Sequence, residues 1–260
     1  MTSELQQNII SFVVHNPPRV EVHRHHCFQI VISLRGTFSC TIAGTALTQH
    51  TGFIVNQNIA HSCQAGAATV LVFFIDAESY HGWQLRALLA GRPFLDTAAF
   101  FTEVQSQELC ADGNERLSRL ELQQIAGEIF ASILPAQLSA TSFLPDDRIS
   151  RATRFIDAHL SESLRLEDLA EVMGLSPERA RHLFAQTTGS PFSQYLLWKR
   201  IKQVIVTVQD GKLSLTEAAL QFGFADQAHF CRVFKRTFGM APKTLLKNSR
   251  FVQFLTPFPP

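Results

Sequence analysis

The sequence predicts an α+β protein of several domains, in which a β-barrel with accompanying helices precedes an all-α domain of two helix-turn-helix units. Three patterns support this fold class. Short β-branched and apolar runs separated by glycines fill 9–75, helical periodicity begins near residue 80, and two similar helix pairs follow in the C-terminal part. A chain of 260 residues can bury more than one hydrophobic core.

Changes of composition and periodicity divide the chain into five segments. We expect the barrel over 1–78, a helical dimerisation segment over 79–134, a linker rich in Pro, Ser and Thr over 135–145, a helical C-terminal domain over 146–250 and a loose tail over 251–260.

Charge is distributed unevenly along the chain, although the formal net charge is only +1. Residues 1–147 contain 7 Arg and no Lys against 13 acidic residues, whereas 148–260 contain 16 Lys and Arg against 9 acidic residues. The first lysine is Lys199. This split indicates two domains with different partners, and it makes the basic C-terminal half the candidate for binding a polyanion.

Several classes of protein are disfavoured by the composition. No apolar run approaches the about 18 residues of a membrane span, and the first apolar patch lacks the basic flank of a signal peptide. The five cysteines are scattered without a CxxC pair, so we expect free thiols and a cytoplasmic location. No P-loop, GxGxxG or Ser-His-Asp pattern indicates catalysis, and we expect neither enzymatic activity nor a cofactor.

The N-terminal part has the spacing of strands and turns. Residues 20–34 alternate between apolar and polar, 38–42 and 69–75 are short apolar or β-branched runs, and Gly36 and Gly44 punctuate them. A small β sandwich or barrel is the simplest arrangement of such strands.

Helical periodicity follows over about 81–90 and 115–134. The longer segment carries an apolar stripe made of Leu117, Leu120, Ile125, Ile129 and Ile133. Two interpretations of this stripe remain open, because it can cap the barrel or meet its twin in a homodimer.

The end of the chain contains a helix pair over 214–242. Ser214 and Glu217 form a capping box that opens the first helix, Gly223 permits a sharp turn, and Asp226 caps a second helix. The second helix has an apolar face and a basic polar face. This arrangement of a short helix, a glycine turn and a basic second helix is typical of a DNA-binding helix-turn-helix.

The segment 166–187 repeats this plan. Gly174 marks its turn, and Ser176 followed by Pro177 is a favourable start for the second helix. The long helix expected over 192–208 separates the two units.

Specific motifs in these units resemble those of the AraC/XylS family of bacterial transcription regulators. They include L-x-x-L-A at 166–170, G-L-S-P at 174–177, T-G at 188–189, P-F at 191–192 and G-F-A-D-Q-A-H-F-C-R-V-F-K-R-T-F-G-M-A-P at 223–242. The resemblance covers about the last two-fifths of the chain. It implies that both units bind one face of double-stranded promoter DNA in successive major-groove segments, and it implies activation of transcription with RNA polymerase as a partner.

Polar side chains on the two second helices are the candidate DNA contacts. Arginine pairs with guanine through two hydrogen bonds, and glutamine pairs with adenine. The candidates for bases are Arg179, Arg181, His182, Gln227, His229 and Arg232. The candidates for phosphate are Lys199, Arg200, Lys235 and Arg236. The alternative is that these residues form only a solvated face on packed helices.

A second motif lies in the N-terminal part. It is His23-x-His25-x3-Gln29-x6-Gly36, followed downstream by His61. This pattern resembles the cupin metal motif H-x-H-x3-E-x6-G with its later histidine, and the resemblance implies a cupin-like barrel that senses a signal. Glutamine replaces the glutamate of that motif, and an amide is a poorer metal ligand than a carboxylate.

Alternation along strands would place several of these side chains on shared faces. The candidate pocket for a small-molecule effector is lined by His23, His25, Cys27, Gln29, His61 and Cys63. We expect this pocket to hold an organic molecule and no metal; the alternatives are a metal bound by His23, His25 and His61, with or without cysteine, and a barrel without any effector. A metal-dependent cupin enzyme fused to a DNA-binding domain is the rival function.

Overall fold

The structure is a computed structural model, and it describes residues 9–97, 119–134, 146–209, 211–244 and 249–255. Its contacts divide the chain into two compact units. Unit 1 consists of Met1–Ser142 with Lys235–Pro260, and unit 2 of Phe143–Phe234. The barrel and the helical segment thus belong to one unit. The expected linker over 135–145 lies outside the described residues.

Unit 1 is built on two antiparallel sheets. The strands are β1 (Ile9–His15), β2 (Val20–His23), β3 (Phe28–Arg35), β4 (Phe38–Ile42), β5 (Thr45–His50), β6 (Gly52–Val55), β7 (His61–Gln64), β8 (Thr69–Ile75), β9 (Phe94–Asp96) and β10 (Ser249–Leu255). One sheet has the order β10-β1-β8-β3-β6-β9, and the other has the order β2-β7-β4-β5. This β-rich unit agrees with the predicted fold class.

Helices cover one face of the six-stranded sheet. They are α1 (Tyr80–Leu89) and α2 (Arg119–Ile133). Ile125, Ile129 and Ile133 of α2 share a buried cluster with Phe28 and Ile30 of β3. The described part of the predicted apolar stripe therefore caps the sheet, which is one of its two interpretations. The side chains of Leu117 and Leu120 lie outside the described residues.

Two segments differ from their predictions. Residues 251–255 were expected to be loose, but they belong to β10, which pairs antiparallel with β1. Residues 20–34 were expected to alternate as one strand, but the strand is interrupted at 24–27, between β2 and β3. Four consecutive polar residues, at 23–26, interrupt the alternation at this break.

The C-terminal helices agree closely with the sequence pattern. They are α3 (Asp147–Ala158), α4 (Leu166–Met173), α5 (Pro177–Thr188), α6 (Phe192–Gln209), α7 (Leu215–Gln221) and α8 (Gln227–Phe238), the last turn of which belongs to unit 1. None of the helices in the described ranges is both long and apolar enough to cross a bilayer.

Hydrogen bonds at the helix starts explain where these helices begin. The Glu217 backbone N–H donates to Ser214 Oγ at 3.3 Å, and the Ser214 N–H donates back to the Glu217 carboxylate at 2.8 Å. The reciprocal bonds lower the pKa of Glu217. Asp226 Oδ1 accepts the His229 N–H at 2.5 Å at the start of α8. These caps satisfy N–H groups that have no partner within the helix.

The turns of the two helix pairs differ in how tightly they are packed. Gly174 has φ +67° and Gly223 has φ +79°, a region that disfavours side chains. A Cβ at Gly174 would meet nothing within 4 Å, whereas a Cβ at Gly223 would lie 2.8 Å from Arg200 Cζ. The Arg200 guanidinium also donates to the backbone oxygens of Leu160 and Glu162 at 3.0 and 2.5 Å. Arg200 thereby connects α6 to the loop after α3 and to the turn at Gly223, between α7 and α8.

Replacing these glycines should separate the cost of backbone strain from the cost of crowding. Gly174→Ala should lower the free energy of unfolding by about 1–2 kcal/mol, because alanine must adopt the left-handed conformation. Gly223→Ala should cost more, because it also displaces Arg200. Denaturant unfolding of both variants measures the difference, and an equal or smaller loss in Gly223→Ala would show that the Arg200 contact contributes nothing.

Candidate functional site

The second helix of the first helix-turn-helix unit, α5, separates its side chains sharply by exposure. Ala180 and Phe184 are fully buried. Arg179, Arg181 and His182 are exposed. The apolar side chains fix the helix to unit 2, so the opposite side is left to present cations and hydrogen-bond donors to a partner.

The second helix of the second unit, α8, is organised in the same way. Phe230 and Phe234 are fully buried. Gln227 and Arg232 are exposed, and His229 is half-buried. The repeated arrangement gives the chain two helices whose exposed sides carry residues able to read base edges.

Neighbouring groups orient two of these side chains. Thr216 Oγ1 on α7 donates to Gln227 Oε1 at 2.7 Å. The Ala225 N–H donates to His229 Nδ1 at 3.3 Å, and the His229 ring meets Phe224 edge-on with 5.5 Å between centroids. Since Nδ1 accepts, a neutral His229 carries its proton on Nε2 and can donate it outward. Thr216 was missed in the sequence, because nothing local links it to a residue in the next helix.

We expected Lys199 and Arg200 to bind phosphate, but both side chains contact partners within the protein. Lys199 is only 4% exposed, and its Nζ lies 3.2 Å from Asp157 Oδ1 and 5.5 Å from the Tyr195 ring centroid. Arg200 donates to backbone oxygens, and burial lowers its pKa. Both cations are engaged inside the fold, and we do not retain them as candidate DNA contacts.

Lys235 and Arg236 are exposed at the C-terminal end of α8. Lys235 Nζ lies 2.9 Å from Glu21 Oε1, and both side chains are more than half exposed. An exposed ion pair of this kind contributes only about 0–1 kcal/mol. It does not prevent Lys235 from exchanging the carboxylate for a phosphate, so both residues stay candidates for phosphate.

Unit 1 contains a second site, in which three of the predicted histidines are brought together. His23, His25 and His61 are buried, and their ring centroids lie 4.2 Å (His23–His61), 5.0 Å (His25–His61) and 5.6 Å (His23–His25) apart. One nitrogen from each ring lies within 4.8 Å of the others. We call these three residues the histidine cluster.

Backbone carbonyls fix the orientation of all three rings. Nδ1 lies 2.9 Å from Glu21 O in His23, 3.0 Å from Cys27 O in His25 and 2.8 Å from Ile59 O in His61. A carbonyl oxygen only accepts, so in His25 and His61 Nδ1 carries the proton and the neutral ring has its lone pair on Nε2. The His23 ring has a second backbone hydrogen bond, with His61. The Nε2 atoms of His25 and His61 are buried without a partner among the described residues.

Burial also determines the charge of the histidine cluster. It lowers the pKa of His61 to about 3 and that of His25 well below its ordinary value, with the neighbouring histidines adding to both shifts. It lowers the pKa of His23 as well. All three imidazoles are therefore neutral at pH 7 and available as ligands.

The remaining predicted pocket residues are placed differently. Gln29 is buried in β3, and its Oε1 is without a partner among the described residues. Cys27 follows the strand break, and its Sγ lies 3.3 Å from the protonated Nδ1 of His25, on the side away from Nε2. Cys63 lies opposite Cys40, and burial raises the pKa of these thiols to about 12 and about 11.

We expected His23, His25, Cys27 and Gln29 to share one face of a single strand, and the strand break at 24–27 shows that this expectation is wrong. The Cys27 thiol faces Nδ1 of His25 instead of Nε2. Neither Cys27 nor Cys63 belongs to the group of potential metal ligands found among the described residues.

Comparison with known proteins identifies the C-terminal region. Residues 169–248 match the family model described as a helix-turn-helix domain. The regulatory protein PocR of Salmonella typhimurium is 34% identical over 98 residues, which cover 38% of this chain and 32% of PocR. The uncharacterized HTH-type transcriptional regulator YpdC of Escherichia coli is 30% identical over 134 residues, covering 48% of this chain and 47% of YpdC. The chain thus spans less than half the length of these relatives.

The fold of the chain also resembles a solved structure. An apo form of a ToxT variant from Vibrio cholerae aligns with a TM-score of 0.62 at 13% identity, over 93% of this chain and 97% of ToxT. At this identity the similarity concerns the fold alone.

These findings identify residues 169–248 as a helix-turn-helix DNA-binding domain of the kind found in transcription regulators. The domain is of the AraC type, as its motifs implied. The prediction of a C-terminal helix-turn-helix domain is therefore confirmed.

The salt dependence of DNA binding should distinguish exposed cations from engaged ones. Arg236→Ala should reduce the slope of log K against log salt by about 0.9, the value for one lost phosphate contact on duplex DNA. Lys199→Met should leave the slope unchanged and lower the free energy of unfolding by about 1–3 kcal/mol, because Asp157 loses its partner. Filter binding across a salt series and denaturant unfolding measure the two quantities. A reduced slope in Lys199→Met would return that residue to the phosphate-binding set.

Proposed function

We propose that the protein regulates transcription by binding a promoter sequence-specifically, with α5 and α8 reading successive major-groove segments of double-stranded DNA. The observation that carries this proposal is the repeated placement of exposed Arg181 and Arg232 on helices anchored by buried phenylalanines. An anchored helix with base-reading side chains on its free side is the geometry of helix-turn-helix recognition.

The proposed contacts follow from side-chain chemistry. Arg181 and Arg232 pair with guanines, and Gln227 pairs with adenine through the amide that Thr216 orients. His182 and His229 donate single hydrogen bonds to bases or phosphates. Lys235 and Arg236 stand at exposed positions suited to the DNA backbone. The exposed Arg179 is a further candidate for a base edge.

The wider role rests on the relationship to HTH-type regulators. We propose a cytoplasmic activator that acts with RNA polymerase as a homodimer. Because the described apolar stripe of α2 is buried against the sheet of its own unit, the homodimer would need another surface. Sedimentation of the purified full chain tests the dimer.

Unit 1 is proposed to receive a signal from a small organic effector. Buried polar groups in its interior, including Gln29 and the histidine cluster, give such a molecule hydrogen-bonding partners. A ToxT structure of similar fold was solved with an unsaturated fatty acid bound, with a TM-score of 0.56 and 15% identity over 93% of this chain and 95% of ToxT. A promoter reporter tested with small organic molecules, an unsaturated fatty acid among them, separates this role from effector-independent activation.

A metal-dependent enzyme fused to a DNA-binding domain is the less favoured alternative. The position that holds the carboxylate in the cupin motif is Gln29, which supplies neither a charged ligand nor a general base. We therefore propose that the protein is not an enzyme.

Selection of binding sites from a random duplex pool tests the DNA-binding proposal. The full chain should enrich a motif with two conserved segments. Arg181→Ala should weaken binding by about 1–3 kcal/mol, or about 5- to 150-fold, and relax the preference for guanine in one segment, and Arg232→Ala should do the same in the other.

Arg151→Ala is a matched control, since Arg151 is an exposed arginine on α3 that pairs with Asp147 and is outside the candidate set. Its affinity and motif should equal those of the wild type. Enrichment of no motif, or an unchanged motif in both test variants, would contradict the proposal.

A further inference from the structure

The histidine cluster has the chemistry of a metal site. We propose that His23, His25 and His61 bind one divalent transition-metal ion through their Nε2 atoms, and that Zn²⁺ fits these ligands best. The cluster atoms already lie within 4.8 Å of one another. Zinc binding requires three nitrogens at about 2.0–2.1 Å from a shared ion, so the rings would move closer together when the ion binds.

The hydrogen bonds of the rings prepare the site. A metal-bound histidine usually donates its other N–H to a carboxylate or a backbone carbonyl, which fixes the tautomer and aims the ligand nitrogen. All three Nδ1 atoms face carbonyls, those of Glu21, Cys27 and Ile59. For His25 and His61, no change of tautomer is needed before a metal can bind.

The unpaired nitrogens distinguish this site from a histidine cluster that only packs. In a packed cluster, a lone pair on one ring would accept the N–H of another ring. Here the Nδ1 protons are directed at the backbone, and His25 Nε2 and His61 Nε2 have no partner in the described structure. Both residues are at least 95% buried, at 5% and 3% exposure. Buried acceptors without a partner carry a desolvation cost that coordination removes.

The ligand set favours a particular kind of ion. Three neutral imidazoles suit zinc and related transition metals and disfavour Ca²⁺ and Mg²⁺, which prefer oxygen ligands. Three protein ligands leave a fourth position open for water or an exchangeable molecule. An organic effector of unit 1 would then meet the bound ion at this fourth position, or Gln29, and not the free histidine nitrogens. The proposal concerns unit 1 alone, so its failure would leave the DNA-binding assignment unchanged.

Zinc titration of the untagged full chain, stripped of metal, tests the proposal. Competition against a chromophoric chelator should give one Zn²⁺ per chain, and Zn²⁺ should raise the Tm because it binds the folded state. His25→Ala and His61→Ala should each weaken binding at least 100-fold. His50→Ala is the matched control, because His50 lies in the same unit beside Asp96, and it should bind as the wild type does.

Cobalt(II) substitution of the wild type decides the matter if the histidine variants fail to fold. Intense d–d bands of a four- or five-coordinate ion, with histidine nitrogens detected by X-ray absorption, are the expected result. Substoichiometric Zn²⁺ in the wild type, equal affinity in His61→Ala, or a six-coordinate oxygen-ligated cobalt spectrum would each overturn the proposal.

Discussion

The burial of one apolar face on each of α5 and α8 is the constraint on which the functional surface depends. Each helix has only 12 residues, and its buried phenylalanines, Phe184 in one and Phe230 and Phe234 in the other, fix its rotation about its own axis. The polar residues between those anchors must then face away from the core. A change that frees the anchors would disperse the DNA-contacting residues without touching any of them.

Local sequence features predicted this C-terminal arrangement well, and long-range contacts explain where the prediction failed. Helix caps and turns involve residues three or four apart, so the capping box at Ser214 was visible in the sequence. The partners of Lys199 and Arg200 are not visible in this way, since Asp157 and Leu160 lie 42 and 40 residues away. The local sequence around a lysine or an arginine on a helix is the same whether the side chain binds a phosphate or an internal partner.

The N-terminal unit shows the same limit in a β structure. The motif predicted that His23, His25 and His61 lie close together, and they do. His23 of β2 pairs directly with His61 of β7, and His25 follows β2 by two residues. The position of Cys27 depends on the strand break at 24–27, which removes it from the strand face expected for it. The pairing of β10 with β1 joins the two ends of the chain, and no local pattern encodes such a pairing. Sequence reasoning therefore found all three members of the histidine cluster, but not the backbone carbonyls that orient their rings.

We propose that two helices of one chain read two adjacent segments of the same duplex. Methylation interference at guanine N7 on a duplex selected by the full chain tests it most directly, since major-groove arginines contact that atom. We expect two clusters of interfering guanines about 10 base pairs apart, on one face of the DNA. A single cluster, or binding that methylation leaves unaffected, would contradict it.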